Sequence, residues 1–234
     1  MTQAPWDREA FVTHLHAVGR EMYHDRHPFQ RRMNDGLLDA HQLRGWILNR
    51  FQYQRCIPVK DALILARLPS QEDRRRWQTR IDDHCGTDGD VGGIEAWLRL
   101  GEAAGISRQT MLAGDSVEPG VREAVQSYVD FCRERPWLEA VAASLTELFA
   151  PALIGSRMAA IERHYPFVDS AGLEYFRRRL DQAPRDVDHG LGLVLEWART
   201  REEQERALAA LTFKCSVLWT LLDAVADAYP DPRQ

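Results

Sequence analysis

Cysteine is scarce in this chain. The four present, at positions 56, 85, 132 and 215 of 234 residues, include no CxxC pair, which argues against a zinc site built on thiolates. The expectation is four reduced thiols in a cytoplasmic protein. Long apolar runs are also missing. No stretch approaches the roughly 18 uncharged apolar residues of a membrane span. The opening MTQAPWDREAFVTHLHAV puts Asp7, Arg8, Glu9 and His14 where a signal peptide needs an apolar core. A basic excess is absent: 30 Lys and Arg face 35 Asp and Glu, for a formal charge of -5. That balance disfavours a general nucleic-acid binder but leaves room for a local cationic pocket. Strand-like alternation is rare. The segment CGTDGDVGG at 85–93 is rich in glycine, yet it lacks GxGxxG and follows no strand, so it is not a phosphate loop.

What is present reads as helices joined by short loops. The first is expected over about Asp7–Tyr23, ended by HPF at 27–29. A second starts after Asp39, with Gln42 completing a capping box, and Pro58 is expected to interrupt or kink it. Ser70 followed by Asp73 marks another start, and Pro119 sits where a first-turn proline belongs. Trp137 to about Arg163 reads as one long apolar helix containing Pro151. Helices over Gly172–Leu180, Asp186 to about Thr200 and Glu202–Ala228 complete the set. Without a repeat or a long linker, residues 1–234 are expected to form a single all-α domain of seven or more helices.

Several polar residues interrupt apolar helical stretches. Arg50 and Gln54, Arg80 and His84, and Tyr175 and Arg179 are each spaced i,i+4 and share a face. Glu147 lies within ASLTELFAP, Lys214 within LTFKCSVLWTLL, and Lys60 follows Pro58. Taken singly, such cations usually snorkel to water. Turned inward together they would form a cationic chamber with one carboxylate, and an anionic ligand would match it. Histidines 24 and 84 and tyrosines 128 and 175 add proton-transfer and hydrogen-bonding capacity. Two other chemistries remain open on these residues. Glu21-x-x-His24 and Asp186-x-x-His189, with Glu147, have the spacing of a helical di-iron site. The adjacent pair His84 and Cys85 offers a thiol nucleophile of poor local geometry.

The stretches MYH at 22–24, NRFQYQRCIPVKD at 49–61, RIDDHCGTDGDVGGIEAWLRLGEA at 80–103, SLTELFAP at 144–151 and GLEYFRRRLDQAPRDVDHGL at 172–191 resemble the pyrroloquinoline-quinone synthase family across nearly the whole chain. The resemblance implies a compact seven-helix, haem-oxygenase-like bundle, usually a homodimer, with no haem. It implies the last step of pyrroloquinoline quinone (PQQ) formation: ring closure and eight-electron oxidation of AHQQ, a dioxo-hydroquinoline dicarboxylate bearing an amino-acid arm. Dioxygen is the co-substrate and hydrogen peroxide a product, with no metal or organic redox cofactor, no nucleic acid and no membrane. Other proteins of PQQ biosynthesis are its possible partners. Residue by residue, the resemblance assigns His84, His24, Tyr175 and Arg179 to catalysis. It assigns Tyr23, Arg50, Gln54, Lys60, Arg80, Tyr128, Glu147, Arg157 and Lys214 to substrate binding. A related di-iron oxidase and a non-catalytic quinone binder are the alternatives. One departure stands out: family members carry His where this chain has Ile154 in APALIGSR. Loss of one acid–base group costs about 10²–10⁴-fold in rate, so turnover is expected to be weakened there.

Overall fold

A computed structural model describes residues 3–231. The described residues form eleven α-helices and three short 3-10 turns, with no strand and one isolated bridge between Thr87 and Asp90. The class is all-α, as expected, but the helices outnumber the seven implied by the resemblance.

The N-terminal elements follow their local signals. Helix α1 spans Arg8–Met22, with the Asp7 carboxylate accepting from the Ala10 amide. A 3-10 turn, His24–Arg26, leads into α2, Pro28–Asn34. HPF starts a helix and does not end one: α1 stops at Met22, and Pro28 occupies the first turn of α2, where a missing N–H costs nothing. Helix α3, Ala40–Leu65, opens on the Asp39–Gln42 capping box and continues through Pro58. The expected interruption does not occur. The proline instead removes the donor that the Gln54 carbonyl would have had. Helix α4, Gln71–Cys85, is capped by Ser70 and ends at Gly86, whose φ of 88° is open to glycine at little cost. Helices α5, Gly92–Ala103, and the short α6, Arg108–Ala113, precede α7, Pro119–Glu134.

The largest corrections lie in the C-terminal half. The single helix expected from Trp137 to Arg163 is broken into α8, Trp137–Ala143, a 3-10 turn, Ser144–Leu148, and α9, Ala150–His164. The two arms meet at 43°. Pro151 sits in the first turn of α9, where its missing N–H leaves no intrahelical bond unmade. Conversely, the two helices expected across 172–200 form one, α10, Glu174–Trp197, with Pro184 inside it. Helix α11 spans Arg201–Ala228 behind a Thr200–Glu203 capping box.

Helix α11 packs against α1, α7 and α8, α3 against α4, α5 and α7, and α10 against α8 and α9. The buried apolar side chains form one cluster, which includes Trp46, Trp77 and Trp97. Burying a large apolar side chain contributes about 1.5–3 kcal/mol. By length and composition α11 alone, or with the bent α8–α9 pair, matches a membrane span; half of its 18-residue window of mean hydropathy 1.5 is buried inside the bundle.

Candidate active site

Helix α3 runs through the bundle interior, so the face carrying Arg50, Gln54 and Ile57 meets α9 and α10 across a cavity of about 680 Å³, including its mouth. The wall brings together ten of the residues singled out in the sequence: Tyr23, His24, Arg50, Gln54, His84, Glu147, Ile154, Arg157, Tyr175 and Arg179. The other four, Lys60, Arg80, Tyr128 and Lys214, stand behind that wall. Lys60 Nζ is 2.6 Å from Asp61 Oδ1 and 3.1 Å from Ser144 Oγ. Trp77 Nε1 donates to the same Asp61 oxygen at 3.0 Å. Lys214 Nζ lies 4.1 Å from the centroid of the Tyr53 ring and 3.8 Å from that of Tyr128.

Charge is matched on one side of the cavity. Arg80 Nη1 donates to Glu147 Oε2 at 2.6 Å, and its Nη2 meets the Asp186 backbone oxygen. Burial opposes the Arg80 charge, but the Glu147 and Asp186 carboxylates outweigh it and raise its pKa. Arg179 reaches Asp186 Oδ2 at 3.2 Å and Glu147 Oε1 at 3.7 Å. These pairs tie α4, the 3-10 turn and α10 together. Glu147, on the 3-10 turn, and Ile154, on α9, line the same cavity from either side of the bend at Phe149.

The opposite side is unmatched. Among the described residues Arg50, Arg157 and Lys214 form no ion pair with a carboxylate. Arg50 Cζ lies over Tyr53, 4.0 Å from its centroid. Burial and the Arg50 cation pull Arg157 down to about 9. Burial pushes Lys214 well below the usual lysine value. His24 is 2 % exposed and both its ring nitrogens lack a hydrogen-bond partner among the described residues. Burial, then Arg50, Arg157 and Lys214, hold it well below the ordinary histidine value.

His84 is neutral for related reasons: burial, and the nearby Arg179, lower it to about 4. Its Nδ1 is 3.0 Å from the Arg80 carbonyl oxygen. A carbonyl only accepts, so Nδ1 carries the proton and Nε2 keeps a basic lone pair. Tyr175 donates to Gln54 Oε1 at 2.9 Å, and its ring meets Trp97 edge-on at 4.7 Å. Ile154 brings an aliphatic side chain to the cavity lining, which also includes Ala150, Leu153 and Leu218.

The two other chemistries left open in the sequence are separated in space. Glu21 is exposed while His24 is buried. Asp186 is engaged by Arg179 and Arg185, and His189 faces Asp73 at 3.4 Å. No group of three His, Cys, Asp or Glu side chains suited to a metal ion occurs among the described residues. Cys85 is exposed, away from the buried His84.

Sequence reasoning missed Tyr53, Trp97, Thr146, Phe176 and Leu218 on the wall. It also missed Asp61 and Ser144 behind it, and weighed Asp186 as a metal ligand where the structure makes it a partner of Arg179. Tyr53 was visible in principle: it stands between the inward residues Arg50 and Gln54 on α3. The apolar wall residues carry no signal that distinguishes them from core.

Residues 13–224 match the model of the TENA/THI-4/PQQC family. The chain is 53% identical over 229 residues to a pyrroloquinoline-quinone synthase of Pseudomonas aeruginosa, covering 98% of this chain and 91% of that protein. It is 50% identical over 215 residues to one from Gluconobacter oxydans, covering 92% and 90%. In three dimensions it matches a domain of unknown function with a haem oxygenase-like fold from Shewanella denitrificans. The TM-score there is 0.71 at 13% identity, covering 94% of this chain and 90% of the other. The match at that identity shows the fold, and the sequence relationship shows more: the chain belongs to the TENA/THI-4/PQQC family.

Proposed function

We propose that this chain performs the last step of PQQ formation. It closes the new ring of AHQQ and passes eight electrons from the substrate to dioxygen, releasing hydrogen peroxide, with no metal or organic redox cofactor. The relatives named above carry this synthase name across almost their whole length.

The observation that carries the reading is the charge imbalance of the cavity. Arg80 and Arg179 have carboxylate partners, whereas Arg50, Arg157 and Lys214 have none among the described residues. An uncompensated charge in a protein interior costs several kcal/mol. A ligand with three carboxylates, such as AHQQ, supplies the missing negative charge. Arg50 and Arg157 would clamp carboxylates and fix the amino-acid arm for attack on the quinoid ring. Lys214, one ring behind Tyr53, would add its charge once an anion is bound. His84 would take the protons released as the ring closes and oxidises, with His24 as a second acceptor. Tyr175 and Arg179 would stabilise negative charge on the reduced quinoid or on the departing peroxide.

A second reading rests on Ile154. An aliphatic wall where a proton donor is absent favours a protein that captures the substrate and stalls. Chelator-treated protein incubated with AHQQ in air separates the two. Appearance of PQQ together with peroxide supports the synthase, and tight binding without oxygen uptake supports the stalled binder. Loss of activity on chelation, restored by ferrous iron, would overturn the metal-free reading. A cytoplasmic homodimer belongs to the same proposal, and sedimentation tests its oligomeric state.

A further inference from the structure

Gln30 is a fully buried amide on α2, at 0 % exposure. Both ends of a buried amide need partners. Its Nε2 donates to Asn34 Oδ1 at 2.8 Å, with the Met33 sulfur 3.7 Å away. Its Oε1 accepts from Arg157 Nη2. A guanidinium offers no acceptor, so the oxygen end must be the one facing Arg157. The Arg157 guanidinium also lies over Trp46, with Cζ 4.8 Å from the ring centroid.

Three arginines are buried around the cavity: Arg80, Arg157 and Arg179. Arg80 and Arg179 are held by carboxylates. Arg157 is held by a neutral oxygen. A carboxylate at position 30 would fix Arg157 equally well, but it would neutralise the cation and compete with any anion in the cavity. An apolar side chain would leave the guanidinium charged but unaimed. An amide supplies direction without consuming charge. We propose that Gln30 is a positioning residue that aims Arg157 into the cavity while leaving its positive charge available to a bound polyanion. The inference rests on the reading of the cavity as a polyanion site.

Calorimetric titration with PQQ tests it on the wild-type protein and on the variants Gln30→Glu and Gln30→Met, with the thermal midpoint of each ligand-free protein recorded. Glu has the size of Gln and pairs with Arg157. Gln30→Glu should therefore melt at or above the wild-type midpoint, yet bind at least about tenfold more weakly. Gln30→Met keeps the charge and loses the aim; it should melt lower and bind about three- to tenfold more weakly. In Gln30→Glu a purely structural role would move stability and affinity in the same direction, whereas the proposal separates them. Gln30→Glu that binds within twofold of wild type overturns the inference. If that variant does not fold, Gln30→Met decides, and wild-type affinity in it overturns the inference equally. Wild-type protein that fails to bind PQQ overturns the polyanion reading itself, and is recognised because it fails before any substitution is made.

Discussion

His84 enters the cavity with its proton already placed. The Arg80 carbonyl accepts a hydrogen bond from Nδ1–H, and burial keeps the ring neutral. Between its ordinary value of 6.5 and its folded value of about 4, the unfolded chain binds more protons than the folded one. Stability should therefore fall as pH drops through that window. His84→Asn should flatten this part of the stability–pH curve, as read by urea unfolding. An unchanged slope would remove His84 as its cause. At Ile154 the expected change is a gain. Placing an imidazole there with Ile154→His should raise PQQ formation by about tenfold or more, if an acid–base group is what the wall lacks. An unchanged steady-state rate would show that the aliphatic wall is fully tolerated.

At the scale of elements, the bend between α8 and α9 decides the shape of the cavity. It brings Glu147 to Arg80 and sets the Phe149 ring over Gly19 of α1, where an added Cβ would lie 2.2 Å from that ring. Phe149 also meets Tyr23, with centroids 5.3 Å apart. Tyr23 and Leu153 line both the cavity and a neighbouring groove that includes Gly19 and Phe149. Gly19→Ala must displace Phe149. It should cost about 1–3 kcal/mol by overpacking and hasten product escape, read by denaturant unfolding and by stopped-flow dissociation of PQQ. Wild-type dissociation would separate this contact from ligand retention. Elements with self-contained signals were legible in the sequence: the box at Asp39–Gln42 and the Ser70 cap bond within one turn. Prolines were not. Pro58, Pro151 and Pro184 look alike in a sequence, yet one marks a helix start and two sit inside continuous helices. Packing against neighbouring helices decides between those outcomes. Seven-residue α2 lacked enough length to show a period, so Gln30 was invisible with it.

For the whole molecule, the decisive property is the convergence of segments far apart in the chain on one unbalanced interior. Single-helix spacing established that Arg50 shares a face with Gln54 and Tyr175 with Arg179. That these faces meet came from the resemblance, because periodicity contains no distances between helices. Nor did spacing distinguish Arg50 and Arg157, on the wall, from Lys60, which Asp61 neutralises behind it. The imbalance has a thermodynamic consequence. His24 and Lys214 are held toward their neutral forms by burial and, secondarily, by neighbouring groups that include cations. A polyanion beside them favours the charged forms. Binding near neutral pH should therefore take up protons, measured by calorimetry in buffers of different ionisation enthalpy; proton release would contradict this assignment. The most direct measurement is a crystal structure of the protein grown with PQQ. The account predicts the ligand inside the cavity, with carboxylate oxygens about 3 Å from the guanidinium groups of Arg50 and Arg157. Density for PQQ elsewhere, or in the cavity with its carboxylates turned away from both arginines, would contradict it.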